Sequence, residues 1–483
     1  MNASVMTLEF WVTILGIVLM LADFFFCVTP ARKKALAWLA IAALAVMLIT
    51  ILGNDTPAGI AFNGAFMEDS LAIFFKRFFL VAAILVLFLT SEFSDKISTS
   101  ISEYYSLIIF ALVGMLFAAS SNDFAMLFVS IELITVTFYV LVGFQRRKLS
   151  SLEAAVKYLI IGALSSAFMV FGIALIWGTT GTLNFTQLGQ VVPQFLDNKI
   201  FLVGVIFLLV GLGFKISMVP FQMWAPDVYQ GAPTPTSAFL AVGSKAAGFV
   251  LLLRVLFTAV PDVARHWVDF FIVISALTIL YGNLCALPQR NLKRLLGYSS
   301  ISHAGYMLLG VAALSVSGQS AVMYYLAGYM FTIVAAFTVI TLVMQHLDNE
   351  DISGLAGLNQ RSPLLATTMT LSMISLAGLP PLAGVFGKFL LLRAVIAAGE
   401  ANHGYYCLAF VALAGIVISF YYYFGVIRAI YWSRNPPDLS PIRLSGAAKF
   451  SLALCIVGMF WLGAFPGAIV SLTDEAAKVL AIK

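Results

Sequence analysis

The sequence predicts an all-α integral membrane protein of about fourteen transmembrane helices, and three observations lead there. Of its 483 residues 61% are hydrophobic and only 10% charged, with a mean hydropathy of +1.01. No soluble core can hide that much apolar surface, whereas lipid can cover it. The apolar residues run in long continuous stretches rather than in alternation, which excludes a membrane β-barrel. Gly, Pro and polar clusters then divide these stretches into spans starting near residues 7, 35, 70, 104, 123, 152, 199, 234, 266, 292, 320, 362, 404 and 447.

Taken in order, residues 1–100 form a three-helix segment, 104–260 and 266–432 two five-helix units, and 447–483 a last helix. The opening stretch "FWVTILGIVLMLADFFFCV" lacks the basic region and cleavage site of a signal peptide and is expected to remain as the first span. Cys27, Cys285, Cys407 and Cys455 are scattered singly without metal or disulfide spacing, so they are expected to act as small packing residues. The longest polar connections, "QHLDNEDISGLAGLNQRSP" and "SRNPPDLSPIRLSGAAK", are too short for a soluble domain. The chemistry is therefore expected within the membrane.

Assigning loops to alternating sides gathers Arg32, Lys33, Lys34, Lys96, Arg146, Arg147, Lys148, Arg290, Lys293, Arg294, Arg361, Arg428, Arg434, Arg443 and Lys449 on one face. The other face receives only Lys199, Arg265, Lys478 and Lys483. The positive-inside rule makes the first face cytoplasmic and puts both termini outside.

The remaining basic residues fall inside the spans. Lys76, Arg77, Arg254 and Arg393 are expected to snorkel toward headgroups. Lys215, Lys245, Lys388 and the shallower Lys157 have no such escape. Glu132, about 13 Å into its helix, and Lys245, about 16 Å into its own, lie near the bilayer middle, and His303 is at a similar depth. Each isolated charge there costs at least a few kcal/mol, so the set implies burial in a bundle, pairing and access to water. Lysine suits proton transfer because burial and neighbouring charge move its affinity in opposite directions. His303 is a natural relay. Metal-cation carriers need oxygen ligands, and amines repel cations, so the species moved is expected to be H⁺. No "CxxC" pattern or Walker-type loop is present, which leaves no Fe–S, flavin or nucleotide motif in the chain.

Pro220 breaks the helix that carries Lys215, and Pro380 and Pro381 break the one that carries Lys388. These are the seventh and twelfth predicted spans, five apart, so each can be the fourth member of a five-helix repeat (helices 4–8 and 9–13). Five is odd, so the second repeat enters from the opposite side and is inverted. Paired broken helices in such repeats mark a transport site.

The segments "SLEAAVKY", "GLGFKISMVPFQMWAPDVYQGAPTPTSAFL", "SKAAG", "NLKRLLGYSSISHAGYML" and "LPPLAGVFGKF" resemble the subunit N family of bacterial NADH-quinone oxidoreductase, respiratory complex I, related to Mrp-type antiporters. The resemblance runs over essentially the whole chain. Subunits L and M usually carry "PDAMEGPTP" where this chain has "PDVYQGAPTP", and histidines where it has Lys245; subunit L adds a long lateral helix that this chain lacks.

The resemblance implies proton translocation coupled to quinone reduction elsewhere in the complex. Glu132 would modulate Lys215, Lys245 and His303 would form the central relay, Lys388 would serve the exit side, and Lys157 would match a sixth-helix lysine. Tyr298, Ser299 and Ser302 are candidates to hydrate the relay. It further implies NADH, FMN, Fe–S clusters and quinone in partner subunits and none in this chain. The expected neighbours are subunit M and the small membrane subunits J and K, with lipids and no nucleic acid, in the bacterial inner membrane. An Mrp-like Na⁺/H⁺ antiporter subunit and a non-pumping scaffold are the alternatives.

Overall fold

The computed structural model describes residues 3–25, 30–53, 59–97, 101–344, 350–433 and 439–480. Cys27, Arg434 and Lys483 lie outside these residues, as do the side chains of Arg32 and Lys33. The chain opens with α1 (Thr7–Phe25), α2 (Pro30–Gly53), α3 (Ser70–Phe93), α4 (Ile101–Ala119), α5 (Phe124–Val142) and α6 (Leu149–Thr180). A short α7 (Phe185–Val191) leads to α8 (Lys199–Ile216), α9 (Trp224–Gly231), α10 (Thr234–Phe239) and α11 (Lys245–Arg254). Beyond α12 (Pro261–His266) come α13 (Val268–Ala286), α14 (Leu292–Ala312), α15 (Val316–Val343) and α16 (Leu358–Arg361). The remainder is α17 (Pro363–Ala377), α18 (Ala383–Ala398), α19 (Gly404–Trp432), α20 (Gly446–Ala464) and α21 (Gly467–Lys478).

A helix begins near each of the fourteen predicted starts. Among the described residues, 11 helices are long and apolar enough to cross a membrane. The physical reasons for the difference are visible. Helix α14 carries Lys293, Arg294, a run of serines and His303, and survives in the bundle because nearly all of it is buried. The twelfth predicted span is split into pieces of 15 and 16 residues. The described apolar part of α1 is short, Thr7–Ala22.

Helix starts follow local chemistry: Asp69, Asp123, Asn198, Asn291 and Ser445 each accept a hydrogen bond from a backbone N–H of the first turn. Lipid-type surface and core then separate. The stretch from α10 to α11, which passes through a π-turn at Leu240–Ser244, is wholly buried, and α15 nearly so. Helix α6 instead shows Leu159, Ile160, Leu164 and Phe171 outward. It packs closely on α8 where Gly172 meets Gly204; a Cβ on Gly172 would lie 2.6 Å from the Gly204 carbonyl oxygen.

Two features depart from the sequence reading. An antiparallel pair of short strands, β1 (Gly59–Ala61) and β2 (Phe66–Glu68), precedes α3. Lys76 and Arg254 do not snorkel: each is 1% exposed. Lys76 pairs with Glu68 and Glu9. Arg254 forms a two-pronged pair with Asp69 at 2.8 and 3.0 Å while its Nε donates to the Ala119 carbonyl at 2.9 Å. Arg77 is half-buried and donates to the Ile51 carbonyl in the last turn of α2 at 2.9 Å. Only the fold brings in the acids that retain Lys76 and Arg254: Asp69 is 185 residues from Arg254, and Glu68, eight residues before Lys76, arrives on a short strand. Arg393 is exposed, as a snorkelling residue should be.

Candidate functional site

The first break separates α8 from α9. Ser217 adopts a left-handed conformation, φ 60°, which ends α8, and Pro220 then denies the helix a donor. The Val219 N–H is taken by Thr278 Oγ1 at 3.1 Å, and Trp224 Nε1 donates back to the Phe214 carbonyl at 3.0 Å, tying the halves together. Lys215 sits on the last turn of α8, buried, and donates to Thr135 Oγ1 of α5. Glu132 lies one turn earlier on α5. Its carboxylate accepts from Ser166 Oγ of α6 at 2.5 Å and makes no direct ion pair with Lys215, so its charge acts across the Thr135 turn.

The centre follows directly. Gly248 packs on Lys215, where a Cβ would come within 3.2 Å of the lysine Cβ. Three residues earlier, immediately after the π-turn, Lys245 donates to the Ser300 carbonyl at 2.5 Å and also to its hydroxyl. Tyr229 Oη shares that hydroxyl at 3.0 Å. One turn along α14, His303 is bound at both ring nitrogens: Nδ1 to Tyr325 Oη at 2.5 Å and Nε2 to Tyr423 Oη at 2.9 Å. Tyr423 Oη is also 2.5 Å from Ser299 Oγ. The hydroxyls of Ser299, Ser300, Tyr229, Tyr325 and Tyr423 and the ring of His303 can each both donate and accept, the requirement for passing protons.

A small cavity lined by His303, Tyr325, Thr332, Ser375, Leu376 and Gly384 lies between this centre and the second break. There α17 ends at Gly378, φ 84°, ahead of Pro380 and Pro381. Lys388, from α18, reaches back to the Leu376 and Ala377 carbonyls at 2.8 and 3.0 Å. These are among the carbonyls that a helix end leaves without partners.

The structure thus brings Lys215, Lys245, His303 and Lys388 into one buried belt, with Glu132 at its first end. Lys157 stands apart. It is half-exposed and pairs with Glu153 at 2.8 Å and Asp227 at 2.9 Å, at the mouth of a polar cavity that Arg294 and Glu350 also line. Tyr298 turns toward Arg294 rather than the relay, and the Ser302 hydroxyl donates to the Ser299 carbonyl of its own helix. Of the three proposed hydrating residues, Ser299 alone makes a direct hydrogen bond to the histidine's partner. Thr135, Ser166, Tyr229, Ser300, Tyr325 and Tyr423 were missed. The available signal was a hydroxyl at mid-span, which is too common in membrane helices to single out one residue.

Near the mouth, Glu350 lies 3.2 Å from Lys293 and 3.4 Å from Lys148. Burial pushes its carboxyl up, but the two ammonium groups prevail and hold it below the ordinary carboxylate value. Among the described residues no cluster of three or more His, Cys, Asp or Glu side chains could hold a metal ion.

Broken helices in a buried polar belt define a class of antiporter-like membrane subunits. The model of the family described as "NADH:quinone oxidoreductase/Mrp antiporter, TM" matches residues 121–419, and the chain belongs to that family.

Within it the chain is similar to NADH-quinone oxidoreductase subunit N of Moorella thermoacetica, 39% identical with 96% of each chain covered. It is also similar to subunit N of Desulforamulus reducens, 38% identical over 100% of this chain and 99% of the relative. A chain of respiratory complex I from Thermus thermophilus superposes with a TM-score of 0.79 at 31% identity, covering 97% of this chain and 100% of that one. A chain of the Mrp complex from Dietzia sp. shares the fold, with a TM-score of 0.85 at 21% identity over 100% of this chain and 98% of that one.

Proposed function

We propose that this chain is a membrane-arm subunit of a proton-translocating NADH-quinone oxidoreductase and carries protons through the buried belt. The observation that carries this reading is the series of buried polar groups between two interrupted helices: Lys215 with Thr135, Lys245 with Ser300, His303 with Tyr423 and Tyr325, and Lys388 at the carbonyls that end α17. Protons enter from the cytoplasm near Lys215 and leave outward near Lys388, with Glu132 setting the charge that Lys215 feels. Full-length similarity to subunit N proteins at 38–39% identity supports this over an Mrp-like antiporter, to which the likeness is one of fold.

The finer architecture belongs to the same proposal: fourteen spans, two inverted repeats at 104–260 and 266–432 between the 1–100 segment and the 447–483 helix, and both termini on the periplasmic side of the bacterial inner membrane. The chain itself holds no redox group. Partner subunits supply NADH oxidation, FMN, Fe–S clusters and the quinone site, and subunits M, J and K are its neighbours. Lys157 acts at the cytoplasmic mouth through its pairing with Asp227 rather than within the belt. Replacing Lys215 by alanine in the intact complex is expected to abolish pumping through this subunit while assembly survives. Full pumping by an assembled Lys215→Ala complex would sink the assignment.

A further inference from the structure

A second cluster of buried charge lies outside the belt, where α1, β2 and α3 meet. Glu9, Glu68 and Lys76 are 1%, 5% and 1% exposed. Lys76 Nζ is paired with Glu68 and lies 2.5 Å from Glu9 Oε1, with the Phe66 ring 4.9 Å away. Ser120 Oγ donates to Glu68 at 3.2 Å. Glu9 is served poorly: its Oε1 is close to the ammonium without good hydrogen-bond alignment, and Oε2 is buried with no donor at all. An ionised carboxylate with an empty buried oxygen is expensive, and it sits here beside another carboxylate.

The surrounding charges do not resolve the imbalance. Asp69 and Arg254, the other buried charges at this end, satisfy one another. Arg77 on α3 is directed to the Ile51 carbonyl. Asp123 caps its own helix at the Ala125 N–H, and Glu103 lies exposed on the first turn of α4. Asp474, Glu475 and Lys478 on α21, which packs against α3, are all exposed. One ammonium therefore faces two carboxylates. Two carboxylates in one dry site cannot both ionise readily; such a pair takes up one proton and titrates as a unit. For Glu68, on the strand ahead of the span, burial is the largest influence and raises its carboxyl affinity for protons, with Lys76 acting against it.

We propose that Glu68, buried and crowded by Glu9 over the single ammonium of Lys76, holds one exchangeable proton, making a protonatable site separate from the belt. The site is anchored to the turn that starts α5. Met67 N–H donates to the Ser120 carbonyl at 2.9 Å and Asn122 N–H to the Ala65 carbonyl at 2.9 Å. Gain or loss of this proton changes the charge at the foot of the helix that carries Glu132, eight residues or about 12 Å further along. It lies at the opposite end of α3 from Lys96, hence on the face away from the Lys148, Lys293 and Glu350 cluster.

The test is infrared difference spectroscopy of the intact membrane complex during a pH change, read at the carbonyl stretch of a protonated carboxylic acid. The wild type is expected to show one buried acid band that Glu9→Gln and Glu68→Gln each remove, since either leaves one carboxylate paired with one ammonium. The band should vanish whether or not the variant pumps, which separates this site from the proposed transport path. If both glutamine variants fail to assemble, Glu9→Asp and Glu68→Asp keep the acid and should shift the band. A spectrum unchanged by the assembled variants overturns the proposal. So does a cluster whose stability depends on added sodium chloride with no acid band, because a metal ion would then hold the spare charge.

Discussion

Replacing Tyr423 by phenylalanine tests the belt at its narrowest link. The hydroxyl bridges His303 Nε2 at 2.9 Å and Ser299 Oγ at 2.5 Å, while the ring packs on Tyr422 with centroids 4.4 Å apart. Phenylalanine keeps the ring and its packing, so no cavity is created. Ser299 can turn its hydroxyl to a carbonyl of its own helix, and His303 retains Tyr325 on the other nitrogen. The stability loss is therefore that of one stranded buried nitrogen, about 1–3 kcal/mol, which leaves the fold intact. Proton transfer suffers far more: losing a positioned donor–acceptor typically slows a transfer by about 100-fold or more. In vesicles bearing the intact complex, the assay is protons moved per electron pair alongside a thermal melt. The Tyr423→Phe complex should melt near the wild type and pump fewer protons. An assembled variant pumping at the wild-type ratio would remove Tyr423 from the path, and with it the link from His303 to Ser299.

Arg254→Leu should destabilise the chain by about 3–5 kcal/mol, because it strands the buried Asp69 carboxylate, and Arg254→Lys should not rescue it, since a single ammonium cannot reproduce the fork at 2.8 and 3.0 Å; thermal unfolding decides both. Glu350→Gln should flatten the acid side of the stability curve. Its carboxyl is held below the ordinary value in the fold, so its contribution is full above the unfolded-state value and is lost as pH falls through the folded one. The check is thermal melting of wild type and variant across that range. Gly384→Ala should block assembly, because a Cβ there would sit 1.8 Å from the Ser375 carbonyl oxygen, whereas Gly425→Ala, which meets open space, should be silent; the amount of chain recovered in membranes is the readout.

Charged residues and prolines were legible in the sequence because they stand out in apolar runs. Lys215, Lys245, His303 and Lys388 are all buried together, and both breaks occur at the named prolines. What connects them was illegible. Serine, threonine and tyrosine are routine in membrane helices, and many simply bond their own helix, as Thr338 does to the Val334 carbonyl and Thr368 to the Leu364 carbonyl. Only packing reveals that Ser300 and Tyr423 bridge helices instead. The misreading of Lys76 and Arg254 has the same origin: the acid that holds Arg254 lies 185 residues away, and Glu68 arrives on a three-residue strand too short to leave a pattern.

The two breaks also look unlike in sequence, since lysine precedes proline in one and follows it in the other, yet the ammonium groups occupy equivalent electrostatic positions. Lys215 sits on the last turn of the helix before its break, and Lys388 reaches back to the final carbonyls of the helix before the other. Each is at a negative helix end. The dipole supplies about 0.3–1 kcal/mol, at most about 2, against a burial penalty of several kcal/mol per ion, so it cannot hold either charge unaided. The remainder differs between them. Lys388 is held by two backbone carbonyls fixed in a helix terminus, while Lys215 relies on side chains, the Thr135 hydroxyl and the charge of Glu132, which Ser166 in turn holds. On the proposed reading, Lys215 is therefore the lysine whose charge a neighbouring subunit can govern by shifting side chains. Changing Lys388 requires moving a helix end.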